Sequence, residues 1–253
     1  AMKYLGETLD IHAGGIDLTF PHHENEIAQS EAITGKPFAR FWLHSEHLIM
    51  DAQKMSKSLG NIYTLRDLMS MGYAPESLRY LLASSHYRSK LNFTLDNLVA
   101  AKSAIDRLRS FKLRLETTAF AAGANAAIAA SSAAARKAFE DAMDDDLKTT
   151  EALAAVFEFV REMNTRMDAG EFLAGNVAAA LDVLALFDRV FAVLDASEAE
   201  GALSATEIDA KIAERAAAKK AKNFKLADEI RLQLLESGVV LEDTKDGVRW
   251  KRK

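Results

Sequence analysis

The 253-residue sequence predicts a mixed but mainly α-helical chain, long enough for two or three domains. Three observations carry this. A short strand, a glycine turn and a helix open the chain. Apolar residues then recur at spacings of three and four over most of residues 64–194, and the last fifty residues change to a basic helix, a second helix and a hairpin signal.

Residues 8–12, Thr-Leu-Asp-Ile-His, read as a buried strand that runs into the Ala13-Gly14-Gly15 turn. Pro21 is placed to open a helix from His22 to about Ile33, with Thr34-Gly35 as its stop. Phe41-Trp42-Leu43 and Leu48-Ile49-Met50 read as strand segments. Helix starts follow at Thr64 and Pro75. Asn92-Phe93-Thr94 caps a long helix through Leu115, whose Leu95, Leu98, Ala101, Ile105 and Leu108 share one face. Thr117 to Ala135 is low-complexity Ala/Ser/Gly and reads as a helix with an insertion or a mobile connector. Periodic runs at 149–169 and 176–194 complete a bundle, and residues 195–204 mark a boundary. Beyond it come helices at 206–221 and 226–235, then strands at 239–242 and 248–251 joined by Lys245-Asp246-Gly247.

Composition narrows the class. Apolar residues make up 49% and charged residues 27%, and no run approaches the eighteen or so apolar residues of a membrane span. Ala1-Met2-Lys3 leads into Tyr4-Leu5-Gly6-Glu7 with no apolar signal region, so a cytoplasmic location is expected. With no cysteine, neither a disulfide framework nor a Cys-type zinc site can be built within the chain. Charge is uneven: residues 1–115 carry 14 Lys/Arg against 12 Asp/Glu, residues 116–203 carry 6 against 16, and residues 204–253 carry 12 against 9. A polyanion would meet attraction at the two ends and repulsion in the middle, though ordinary solvated helix faces account for such numbers equally well.

Two motifs carry chemistry. Lys54-Met55-Ser56-Lys57-Ser58, followed by Leu59-Gly60-Asn61, places two ammonium groups among small residues. Such a loop suits closure over a triphosphate and stabilisation of the charge on departing pyrophosphate. His22 and Glu26, four apart, lie on one helix face, where they form either a surface hydrogen bond or two ligands of one metal.

The lysine loop resembles the KMSKS signature of class I aminoacyl-tRNA synthetases. Residues 10–30, DIHAGGIDLTFPHHENEIAQS, with that loop and His86-Tyr87-Arg88-Ser89, resemble the cysteinyl-tRNA synthetases in particular. The likeness covers nearly the whole chain and weakens near 117–135. It implies the carboxyl-terminal piece of a Rossmann-type α/β catalytic domain (1–62), connecting helices (63–116), a helical bundle (117–200) and a small α+β anticodon module (201–253). It also implies ATP, with Mg2+, and L-cysteine as substrates, tRNA(Cys) as partner, no membrane and a monomer.

By the same resemblance Lys57, helped by Lys54, contacts ATP, while Ser56 and Ser58 hydrogen-bond the loop closed. His22 and Glu26 become ligands of one Zn2+ whose two cysteine ligands lie upstream, as does the HIGH motif; an isolated 1–253 chain is therefore expected to bind zinc poorly and to form no adenylate. His12, Gly14, Gly15 and Asp17 border the amino-acid pocket, with Ala13 where the family often has glycine. His23 is assigned no metal role. His86, Tyr87 and Arg88 are candidates for contact with the acceptor arm, or else packing. Asp243, Asp246, Arg249 and Trp250, flanked by Lys251 and Arg252, offer base-edge acceptors, stacking and phosphate contacts. Asp144-Asp145-Asp146 reads as a helix-terminal acidic cap before a metal site, and Lys148 and Thr150 stand where the family commonly has Asn and Pro. Two rival readings are a non-catalytic tRNA-binding fragment and the related ligase joining cysteine to a glucosaminyl-inositol.

Overall fold

The computed structural model describes residues 2–50, 53–54, 62–195, 205–221, 223–244 and 247–252. Two compact units divide at Leu194. The first begins with a four-residue helix α1 (Met2–Leu5) and strand β1 (Leu9–Gly15). A wide helical turn, Thr19–His23, leads into α2 (Glu24–Thr34) and then β2 (Ala39–Ser45). β1 and β2 pair in parallel, with His12 opposite Trp42, as a crossover helix requires. Phe20 is extended within the wide turn, so regular α-helix begins at Glu24, two residues later than expected. His22 and His23 nonetheless keep the winding that α2 continues. Gly35, at φ +67°, ends it as expected.

Strand β3 (Leu48–Met50) is the middle of a three-stranded sheet, antiparallel to β4 (Gln53–Lys54) and parallel to β5 (Leu91–Phe93). β5 was read in the sequence only as a helix cap. Thr94 does cap, accepting from the Asn97 amide, but the three residues before it are extended and pair with β3. Three residues are too few to show a two-residue period.

Helices α3 (Leu65–Ser70) and α4 (Pro75–Ala83) start where expected, the first through a reciprocal Thr64–Asp67 capping box and the second with proline in its first turn. α5 (Leu95–Thr117) buries Leu98, Ala101, Ile105, Leu108, Phe111 and Leu115 on one face. α6 (Ala126–Asp144), α7 (Thr149–Asp168) and α8 (Val177–Phe191) close the bundle around them. The stretch 117–135 is thus a loop to residue 125 followed by helix. The buried Asn176 ties that loop down, accepting from the Asn125 amide at 2.8 Å and donating to the Asn125 carbonyl at 3.0 Å.

One apolar core runs from Met50 through α4 and α5 to Leu194. α5 shares this core with α6–α8, because its buried stripe faces them. The second unit holds α9 (Ala205–Lys220), α10 (Phe224–Glu236) and the hairpin β6 (Val239–Thr244) and β7 (Gly247–Arg252) around Ile208, Ile230, Leu234, Val239 and Leu241. Among the described residues no helix is long and apolar enough to cross a membrane.

Candidate functional site

The candidate site lies where β1 and β2 meet the start of α2. His22 Nε2 stands 3.7 Å from Glu26 Oε1, and His12 Nε2 is 2.7 Å from Glu26 Oε2. These distances separate two roles. Ligand atoms at 2.0–2.2 Å around a tetrahedral zinc lie about 3.3 Å apart, so the His22–Glu26 pair is close to a shared metal edge. The His12 contact is shorter than such an edge. It is a hydrogen bond, with Nε2–H donating, that holds the second carboxylate oxygen as metal-bound carboxylates are commonly held. The His22 side chain is 60% exposed, so its nitrogen is open to an incoming ion. Donor types and spacing fit one side of a zinc site.

His23 is buried and differently occupied. Its Nδ1 lies 2.8 Å from His44 Nε2, one nitrogen donating to the other. Burial, and then the neighbouring His12 and His44 imidazoles, lower its pKa and favour the neutral ring. His12, His23 and Glu26 do gather their ligand atoms within 4.8 Å, a wider spacing than the edges of one zinc. Gly14 makes room for the ring: a Cβ there would sit 2.8 Å from His23 Cε1. Gly15 ends β1, and Asp17 lies in the short 3-10 turn Ile16–Leu18. Trp42 and His44, two apart on β2, complete the cluster, with the Trp42 ring 5.0 Å from both His12 and His23. Sequence reasoning missed His44 and Trp42. Their i, i+2 spacing on a predicted strand was the available signal.

Of the lysine loop, Lys54 lies in β4, its backbone paired with Ile49; Met55, Ser56, Lys57 and Ser58 lie outside the described residues. His86, Tyr87 and Arg88 do not stand free: all three contact Asp146, which has a left-handed backbone (φ 57°) in the turn after α6. Lys148 pairs with Asp145 in the same turn. The acidic run thus sits at a helix carboxyl end, opposite to the end where the macrodipole welcomes it, and partner cations and hydroxyls compensate. In the second unit the half-buried Trp250 donates from Nε1 to Asp209 at 2.9 Å and packs on the small core. Asp243 and Arg249 lie on the paired strands, opposite Val248 and Glu242 respectively, while Asp246 lies outside the described residues.

Known proteins share this succession of parts. Family models match in order: the class I (C) tRNA synthetase catalytic domain over residues 1–103, the DALR domain over 138–195 and the cysteinyl-tRNA ligase anticodon-binding domain over 203–250. A class I aminoacyl-tRNA synthetase is the kind of protein these define. The fold is also that of a solved LeuRS from Agrobacterium radiobacter K84, in ternary complex with tRNA and LeuAMS, at TM-score 0.58 and 16% identity over 75% of this chain and 27% of that one. Relatives named cysteine–tRNA ligase are 65% identical in Solibacter usitatus and 50% in Koribacter versatilis, each covering 100% of this chain. The chain belongs to the cysteinyl-tRNA synthetase family. It spans about half the length of these relatives, 54% and 57% respectively.

Proposed function

We propose that the intact protein is a cysteine–tRNA ligase, which activates L-cysteine with ATP and transfers it to tRNA(Cys), and that residues 1–253 alone do not complete the reaction. The observation that carries this is the His22–Glu26 pair, braced by His12 beside the Gly14-Gly15 turn. Zn2+ bound there supplies a borderline-soft contact that prefers a substrate thiol to the hydroxyl of serine, a distinction an apolar pocket makes poorly. His22 and Glu26 hold the ion from this chain, and the remaining ligands come from elsewhere in the protein. His12 fixes the Glu26 carboxylate. Gly14, Gly15 and Asp17 border the amino-acid pocket. Lys57 and Lys54 contact the phosphates of Mg2+-bound ATP, and Ser56 and Ser58 hydrogen-bond that loop closed. The protein works as a cytoplasmic monomer.

Replacing both His22 and Glu26 by alanine in the intact ligase is expected to cut the kcat/KM preference for cysteine over serine by about a hundredfold or more. Competing adenylation assays with the two amino acids measure it, and an unchanged preference would sink the reading. The match of residues 203–250 to an anticodon-binding domain argues against the glucosaminyl-inositol ligase. In that module, Trp250→Ala is expected to weaken tRNA(Cys) binding by about 1–3 kcal/mol, the worth of one stacked base. Trp250→Phe retains a stacking face and gives up the Asp209 bond, so it should bind near the parent level in a filter-binding titration at fixed salt.

A further inference from the structure

Beside the shared apolar core, one tyrosine bridges the sheet that bears Lys54 and the turn between α6 and α7. The Tyr87 carbonyl accepts from the Glu46 amide at 2.8 Å, two residues before β3, and the Tyr87 hydroxyl donates to Asp146 Oδ1 at 2.6 Å in the turn between α6 and α7. Three further contacts surround this rivet. His86 Nε2 donates to the Asp146 carbonyl at 2.8 Å, Arg88 Nε reaches Asp146 Oδ2 at 3.2 Å, and Thr150 Oγ1 donates to the Ser84 carbonyl at 3.4 Å. Four residues after Tyr87 the chain enters β5, which pairs with β3, and β3 pairs with Lys54. Hydrogen bonds and the short stretches of chain between them therefore link Asp146 to Lys54 in β4. Asp146 holds a left-handed backbone to make these contacts, a conformation that non-glycine residues other than Asn and Asp adopt rarely.

We propose that Tyr87 and Asp146 are a positioning pair for adenylation: anchored on the bundle, they set the strand pair β3–β4 that carries Lys54. This rests on the ligase reading above. The two side chains are engaged with each other, so their loss is expected to appear in kcat for cysteine-dependent ATP–pyrophosphate exchange and not in KM for cysteine.

The test has two arms. On the present chain, Tyr87→Phe and Asp146→Ala should each speed amide hydrogen exchange across residues 46–50 by about tenfold, while α8 serves as an internal reference. Asp146→Asn retains the Oδ1 acceptor and tolerates the backbone, so it should restore protection. In the intact ligase, Tyr87→Phe and Asp146→Ala should each lower kcat for exchange about tenfold with KM for cysteine unmoved, and Asp146→Asn should keep most of the parent rate. Protection at 46–50 that falls no more than in α8, or a kcat that stays at the parent value, would overturn the positioning role and leave the ligase reading standing. An unmutated intact protein without cysteine-dependent exchange would overturn both.

Discussion

In the intact ligase, Lys57→Ala is expected to slow cysteine-dependent ATP–pyrophosphate exchange by about 10²–10³-fold, the usual cost of removing one preorganised donor from a developing oxyanion. The reasoning begins with electrostatics. Negative charge accumulates on the bridging and terminal oxygens as pyrophosphate departs, so an ammonium brought against them stabilises the transition state more than bound ATP. Lys54 lies three positions earlier, its backbone paired with Ile49 in β4, and is the helper in this reading. Lys54→Ala is accordingly expected to cost less than Lys57→Ala. The loss should fall on kcat, with KM for cysteine near the parent value, since the amino-acid pocket proposed above is bordered by β1 and the turn after it. Exchange that persisted within about twofold of the parent would remove Lys57 from the reaction.

Much of this architecture was legible because helices announce themselves by repetition. The stripe Leu98, Ala101, Ile105 and Leu108 is 0–4% exposed, and the predicted boundaries of the later bundle helices fall within a few residues of α7 and α8. Two turns of a helix bury several side chains on one face, so the signal averages over many residues. β5 has three residues and one neighbour, and only its distant partner β3 makes it a strand. The wide turn before α2 was equally hidden, since no period marks five residues wound differently from those that follow. At the site, the i, i+4 spacing brought His22 and Glu26 together in the reading, whereas His12, Trp42 and His44 depend on the register of β1 against β2. The tyrosine at 87 is instructive in another way. Packing and RNA contact were the readings available, and the hydroxyl reaches a carboxylate 59 positions away, a distance no local pattern encodes.

The largest stability effect is expected at Phe187. Its side chain is fully buried, stacked on Phe191 with ring centroids 4.6 Å apart and planes 13° from parallel. Phe187→Ala removes that ring near the carboxyl end of α8, and the cost depends on whether the helix can move in to fill the space. It cannot move freely, because its carboxyl end is pinned from three sides. Arg79 donates to the Phe191 and Val190 carbonyls, and Arg109 donates to the Val193 and Leu194 carbonyls at 2.7 and 3.0 Å. The Asp188 carboxylate accepts from the Val193 and Leu194 amides at 2.7 and 2.8 Å, holding the turn at Ala192, where φ is 50°. A helix fixed in this way leaves the cavity open, which places the loss toward the upper part of about 3–5 kcal/mol. For a unit of this size that is a fall in Tm of about 10 °C. Val190→Ala on the exposed side of the same helix should stay within about 0.5 kcal/mol of the parent, so the pair separates burial from helix propensity. Thermal unfolding followed by circular dichroism measures both; equal shifts for the two substitutions would mean that α8 repacks despite its anchors.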